Sequence, residues 1–144
     1  MIIFSIGFTQ TTAETFFTRI KGAGVRRVVD VRLNNVSQLA GFAKRTDLEY
    51  FCRAICGIEY VHLLELAPTA EMLDTYKKQR GSWEDYEQVF LTLMAHRKVE
   101  ETVPRDILNG GCLLCSEARP HHCHRRLVAE YLRNRWEGIE IKHL

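Results

Sequence analysis

A chain of 144 residues, 46% hydrophobic and 26% charged, has the size and make-up of one globular domain, 1–144, with enough apolar mass for a core. A net charge of +2 is too small to imply nucleic-acid binding by itself, and no run reaches the ~18 apolar residues of a membrane span. Five cysteines, an odd number without regular spacing, read as reduced thiols in a cytoplasmic protein, not as a disulfide scaffold.

Met1-Ile2-Ile3-Phe4-Ser5-Ile6 has no basic lead-in and reads as a first strand, not a signal peptide. Ile2 to Ile6 suits a strand buried on both faces. Thr11 or Thr12 caps a helix to about Ala23, with Phe16, Phe17 and Ile20 as its apolar stripe and Gly22 and Gly24 at its end. Arg27 to Arg32 is a second strand with a polar tip, and Leu33 to Arg45 is a loop long enough to suggest a binding or lid role. Asp47 to Ile55 is a helix ended by Gly57, and Ile58 to Leu63 a third strand. Pro68-Thr69 opens a helix to about Arg80, and Ser82-x-x-Asp85 resembles a capping box before a helix to about Lys98. Gly111 to Cys115 is the fourth strand, His122 to Arg135 the fifth helix, and Ile139 to His143 the last strand. Alternating strands and helices predict an α/β fold: a three-layer, mostly parallel, five-stranded Rossmann-like sheet with helices on both faces. The favoured order is 3-2-1-4-5, with ligands expected beyond the strand C-termini where the order reverses, between strands 1 and 4.

The stretch Leu113 to Arg126 gathers the chemistry. Cys115 ends a strand, and Cys123 falls in the first turn of a helix, where amides, the helix dipole and Arg125 and Arg126 lower a thiol pKa. The plainer reading makes both cysteines small buried residues, as Cys52, Cys56 and Cys112 are expected to be. A strand leading into a helix N-terminus also suits an anion. Its candidate binding groups are Gly7, Thr9, Arg32, Arg119, His124 and Arg125, with Cys115, Glu117, Cys123 and Asp30 as candidate catalytic groups. Asp30 and Arg32 could equally satisfy one another as an ion pair. Zinc fits less well, because Cys-x7-Cys lacks structural-zinc spacing, and neighbours such as Cys123 and His124 point about 100° apart on a helix. No metal is therefore expected beyond adventitious binding at His121 and His122. Gly7-Phe8-Thr9 is not a G-x-G-x-x-G fingerprint, so no dinucleotide or other cofactor is expected.

With Ser5-Ile6-Gly7-Phe8-Thr9, Asp30-Val31-Arg32, Tyr60-Val61-His62-Leu63, Cys115-Ser116-Glu117, Cys123-His124-Arg125 and the ending Ile141-Lys142-His143-Leu144, the chain resembles the family catalogued as domain of unknown function 488. The resemblance spans essentially the whole chain and implies a small cytosolic α/β domain with no assigned substrate. Two departures are Leu33-Asn34-Asn35 after Asp-Val-Arg, where the family often has proline, and Leu66-Ala67, where it tends to have Leu-Gly. A weaker analogy is to rhodanese-type domains, which also carry Asp-Val-Arg and a cysteine at a later strand end. Their C-x4-5-R loop is not matched, since Pro120 interrupts the stretch between Cys115 and Arg125.

Three functions stay open. The leading one is an enzyme, a hydrolase or transferase, or a binding domain, acting on a phosphate-bearing ligand such as a nucleotide or nucleic acid. The second is persulfide or redox transfer through the cysteines. The third is a non-catalytic nucleic-acid or protein-binding module using the basic fifth helix. No membrane partner is expected, and a homodimer is left open.

Overall fold

A computed structural model describes residues 1–36 and 40–144. Its elements are β1 (Ile2–Gly7), α1 (Ala13–Ala23), β2 (Arg27–Asp30), α2 (Arg45–Phe51), β3 (Glu59–His62), α3 (Ala70–Lys77), α4 (Trp83–Arg97), α5 (Val99–Thr102), α6 (Arg105–Leu108), β4 (Gly111–Cys115), α7 (His124–Arg133) and β5 (Glu140–His143). The five strands form one parallel sheet in the order β3-β2-β4-β1-β5.

The expected α/β class and helix-covered faces are present, and the period-two alternation of the strands divides the core. Ile3, Val29, Leu113 and Cys115 face one side, packed with Phe90, Met94, Leu127 and Val128 of α4 and α7. Phe4, Ile6, Val28, Cys112 and Leu114 face the other, against Phe16, Phe17, Ile20 and Leu48 of α1 and α2. Local signals placed the helix starts well. Thr12 accepts from the amide of Thr15, Thr69 from Met72 and Ser82 from Asp85, each at a helix N-terminus. Beyond Phe51 the helix continues as a π-helical turn, Cys52–Cys56, and stops at Gly57 with φ 65°.

The strand order differs from the expected 3-2-1-4-5. β4 lies between β2 and β1, so the strand with every residue buried takes the middle. Strands 1 and 4 both read as apolar runs, and periodicity cannot order two strands of the same kind. The crest nonetheless assembles: Gly7 pairs with Cys115 on one side of β4, and Asp30 pairs with Leu114 on the other.

Two further corrections bear on the site. The fifth predicted helix starts at His124, not His122, because the Pro120 carbonyl accepts from the Cys123 amide at 3.2 Å and closes a turn over the two histidines. Cys123 is thus an extended N-cap residue (φ −140°, ψ 138°), outside the helix that the zinc objection placed it on. Between α4 and β4, the short α5 and α6 are too brief to show periodicity; Lys98 at φ 52° and Pro104 mark their starts. Of the predicted loop from Leu33 to Arg45, Ser37, Gln38 and Leu39 lie outside the described residues. No helix among the described residues is long and apolar enough to cross a membrane.

Candidate functional site

At the C-terminal edge of the sheet, the loop from Ser116 to Cys123 is fastened from below. The Thr9 amide and hydroxyl both donate to the Ser116 carbonyl, at 3.1 and 2.6 Å. Gly7 is needed because the loop lies directly on it: a Cβ there would stand 1.7 Å from the Glu117 carbonyl oxygen. Arg125, fully buried, donates to the Glu117 carbonyl, to the Ala118 carbonyl at 3.4 Å, to Ser5 Oγ at 3.2 Å and to Cys115 Sγ at 3.3 Å. Burial lowers its pKa to about 10, which leaves it charged at neutral pH. Arg125 is therefore a brace under the loop, with no carboxylate among the described residues bonded to it.

Cys115 and Cys123 are joined as a disulfide, whereas five free thiols were expected. Contact between residues eight apart follows from the turn that brings the chain back over β4, which spacing alone does not reveal. Cys52, Cys56 and Cys112 are free, and Cys52 and Cys112 are buried in the core as expected. Burial pushes the Cys52 thiol up to about 12 and raises the Cys112 thiol as well, so both stay protonated. Beside the bonded pair, the His124 ring donates from Nε2 to the Val31 carbonyl at 2.7 Å and packs against Phe90. Burial, reinforced by the nearby Arg125 charge and only partly offset by the Val31 bond, lowers its pKa to about 4, so the ring is neutral.

Across β4, Asp30 and Arg32 form a buried bidentate pair. Oδ1 accepts from Arg32 Nε at 2.9 Å and from the Arg32 amide at 3.1 Å; Oδ2 accepts from Arg32 Nη2 at 2.8 Å and from the Tyr60 hydroxyl at 2.5 Å. Arg32 Nη2 also reaches the Ala43 carbonyl, and the guanidinium lies over the Phe8 ring with 5.0 Å to its centroid. Asn35 Nδ2 bridges Tyr60 and His62, whose Nε2 meets the Arg32 carbonyl at 2.6 Å. Burial, then the adjacent Asp30 charge, raises the Tyr60 pKa. Arg32 Nη1 is the exception: buried, it finds no hydrogen-bond partner among the described residues.

Arg32 also lines a crevice of about 230 Å³ whose floor is Cys115, Cys123 and His124. Tyr76, Trp83, Tyr86 and His122 form an aromatic side wall, with Trp83 stacked on Tyr86 (5.2 Å) and on His122 (5.1 Å). Ser116, Glu117 and Lys77 line the rim.

A family model described as "Domain of unknown function DUF488" matches residues 12–132. The chain belongs to the DUF488 family. No curated protein and no solved structure matches it.

In this DUF488 domain the candidate residues divide. Cys115, Cys123, His124, Glu117 and Arg32 share the crevice. Asp30, Thr9, Gly7 and Arg125 lie directly behind it and hold its parts, while Arg119 is exposed and outside its lining. Of the basic charges in and just beyond α7, Arg126 pairs with Glu130 and Glu87, and Arg135 pairs with Glu100 and lies over the Tyr131 ring. Sequence reasoning missed Asn35, Tyr60 and His62, and the aromatic wall. Tyr60 and His62 did leave a signal: they are polar-tipped residues in the strand paired with Val28 and Asp30 of β2.

Proposed function

We propose that this domain binds a small anion-bearing molecule, phosphate-bearing as the leading class, and presents it to the cysteines on the crevice floor. The observation that carries the reading is Arg32 Nη1. A buried guanidinium N–H without an acceptor is costly, by ~1–3 kcal/mol or more for a charged group, and an anion in the crevice supplies the acceptor. The Asp30 pair fixes the plane of the guanidinium, so the free amine is already oriented. At about 230 Å³ the space is below the roughly 300–1,000 Å³ of drug-sized pockets, which favours a phosphate on a small, flat or apolar body over a dinucleotide.

NMR of the wild-type protein tests this without a variant. Titration with phosphate, sulfate and mononucleotides should shift the Arg32 side-chain resonances saturably. Shifts confined to Arg119, Arg133 and other exposed cations would overturn it.

A second reading, thiol–disulfide exchange, is favoured by the Cys115–Cys123 bond at the crevice floor and by the Arg125 guanidinium 3.3 Å from Cys115 Sγ, which stabilises a thiolate there. Iodoacetamide rates against pH on the reduced protein test it. A Cys115 titrating no lower than free cysteine would end it.

A further inference from the structure

The sulfurs of Cys115 and Cys123 and a ring nitrogen of His124 all lie within 4.8 Å of one another. Three features of their setting go beyond proximity. First, the His124 Nε2–H is committed to the Val31 carbonyl at 2.7 Å, which fixes the tautomer and leaves Nδ1 with a free lone pair. Ligating histidines are held in this way by a carbonyl or carboxylate on the other nitrogen. Second, the Cα atoms of Cys115 and Cys123 stand 7.5 Å apart, wider than the ~4.4–6.8 Å usual across disulfides. The backbone therefore leaves the two sulfurs room to separate around an ion once the bond is opened. Third, Arg125 is a buried cation whose hydrogen-bonded partners are carbonyls, a hydroxyl and Cys115 Sγ. A thiolate at Cys115 provides a negative charge in direct hydrogen-bond contact with this guanidinium, and hydrogen bonds to ligating sulfur are the usual support of a metal thiolate.

We infer that the reduced protein binds one divalent ion of the zinc class through Cys115 Sγ, Cys123 Sγ and His124 Nδ1, with a fourth position open to the crevice. Two thiolates and an imidazole are the donor set that selects zinc-like ions over magnesium or calcium. Three protein ligands with one open side is the arrangement of catalytic, not structural, zinc. The sequence objection placed both residues within the helix; Cys123 precedes it, and its sulfur lies within 4.8 Å of a His124 ring nitrogen. The chemistry balances simply. A phosphine reductant supplies the two electrons that open the disulfide, both thiols lose their protons to solvent as the ion binds, and the neutral imidazole coordinates without change. The site shares its crevice with the anion reading but does not depend on it.

The test is a cobalt(II) titration of the full chain, reduced and kept anaerobic. The expected result is saturation at one equivalent, with sulfur-to-cobalt charge-transfer absorption and the intense visible bands of a tetrahedral ion, both removed by zinc. C115S, C123S and H124A should each weaken binding at least about a hundredfold. H121A, which breaks the exposed imidazole pair, should leave it unchanged. Absent charge-transfer bands, or affinity that survives both serine variants, would overturn the inference, as would loss of binding in H121A. Should the serine variants fail to fold, the wild type decides: after oxidation by diamide it must lose cobalt binding, and retention would overturn the inference. The phosphate titration at Arg32 reads different nuclei, so either idea can fail while the other stands.

Discussion

Replacing Gly7 by alanine should be among the most damaging single changes in the chain, although it adds only a methyl group. The new Cβ would lie 1.7 Å from the Glu117 carbonyl oxygen, 2.5 Å from its carbon and 3.1 Å from Ala118 Cα, all backbone atoms. Relief requires the loop to retreat by more than about 1 Å, at the ~1–3 kcal/mol typical of overpacking. The loop cannot retreat freely, because Thr9 holds the Ser116 carbonyl at 2.6 Å and Arg125 holds that of Glu117. Weakening one such charged bond adds ~1.5–3 kcal/mol. Together they predict a loss of ~3–5 kcal/mol, and a melting point lower by the order of 10 °C for a chain of this size. Gly22→Ala is the control: it sits within α1 with nothing within 4 Å of its Cβ, and should gain ~0.5–1 kcal/mol. Urea denaturation of both variants beside the wild type measures the difference. A Gly7→Ala protein within about 1 kcal/mol of wild type would show that the loop does not rest on β1 as described.

Three further outcomes follow from the same contacts. Arg125→Leu should cost ~3–5 kcal/mol, because it strands the carbonyls of Glu117 and Ala118; a loss under about 1 kcal/mol in urea would mean that Arg125 is not their brace. Tyr60→Phe removes the 2.5 Å donor to Asp30 and should cost ~1.5–3 kcal/mol, whereas an unchanged denaturation midpoint would contradict that bond. His143, held by Ser5 at 2.5 Å, has its pKa lowered from 6.5, first by burial and then by the Arg125 charge. The unfolded chain then binds the proton more readily, so this residue's contribution to stability is intact above pH 6.5 and declines as the pH falls below it. An NMR titration midpoint at or above 6.5 would contradict this.

Much of the fold was legible because its signals are local. Thr12, Thr69 and Ser82 each accept from a backbone amide three residues on, at positions where the sequence shows helix starts. The alternation in Val28-Val29 and Cys112-Leu113 assigns those side chains to opposite layers. Strand order was not legible, since β1 and β4 have the same apolar character and only packing distinguishes centre from flank. At the site, the sequence located the crest but not the division of labour on it. Arg125 and Arg32 are both arginines near a helix start or strand end. What separates a spent guanidinium from a free one is how many carbonyls the folded chain brings to it, and those are backbone carbonyls of Glu117, Ala118 and Ala43, whose positions no side-chain motif reveals. The bond between Cys115 and Cys123 likewise depends on the turn at Pro120 that delays the helix.

The central claim is that the crevice over Cys115, Cys123 and Arg32 receives an anion. Crystals of the protein soaked in phosphate and, separately, in a mononucleotide give the most direct measurement. The account predicts density in the crevice with an anion oxygen about 2.7–3.2 Å from Arg32 Nη1, while the Asp30 pair stays intact. A crevice holding only water in every soak, with Arg32 Nη1 bonded to protein, would contradict it.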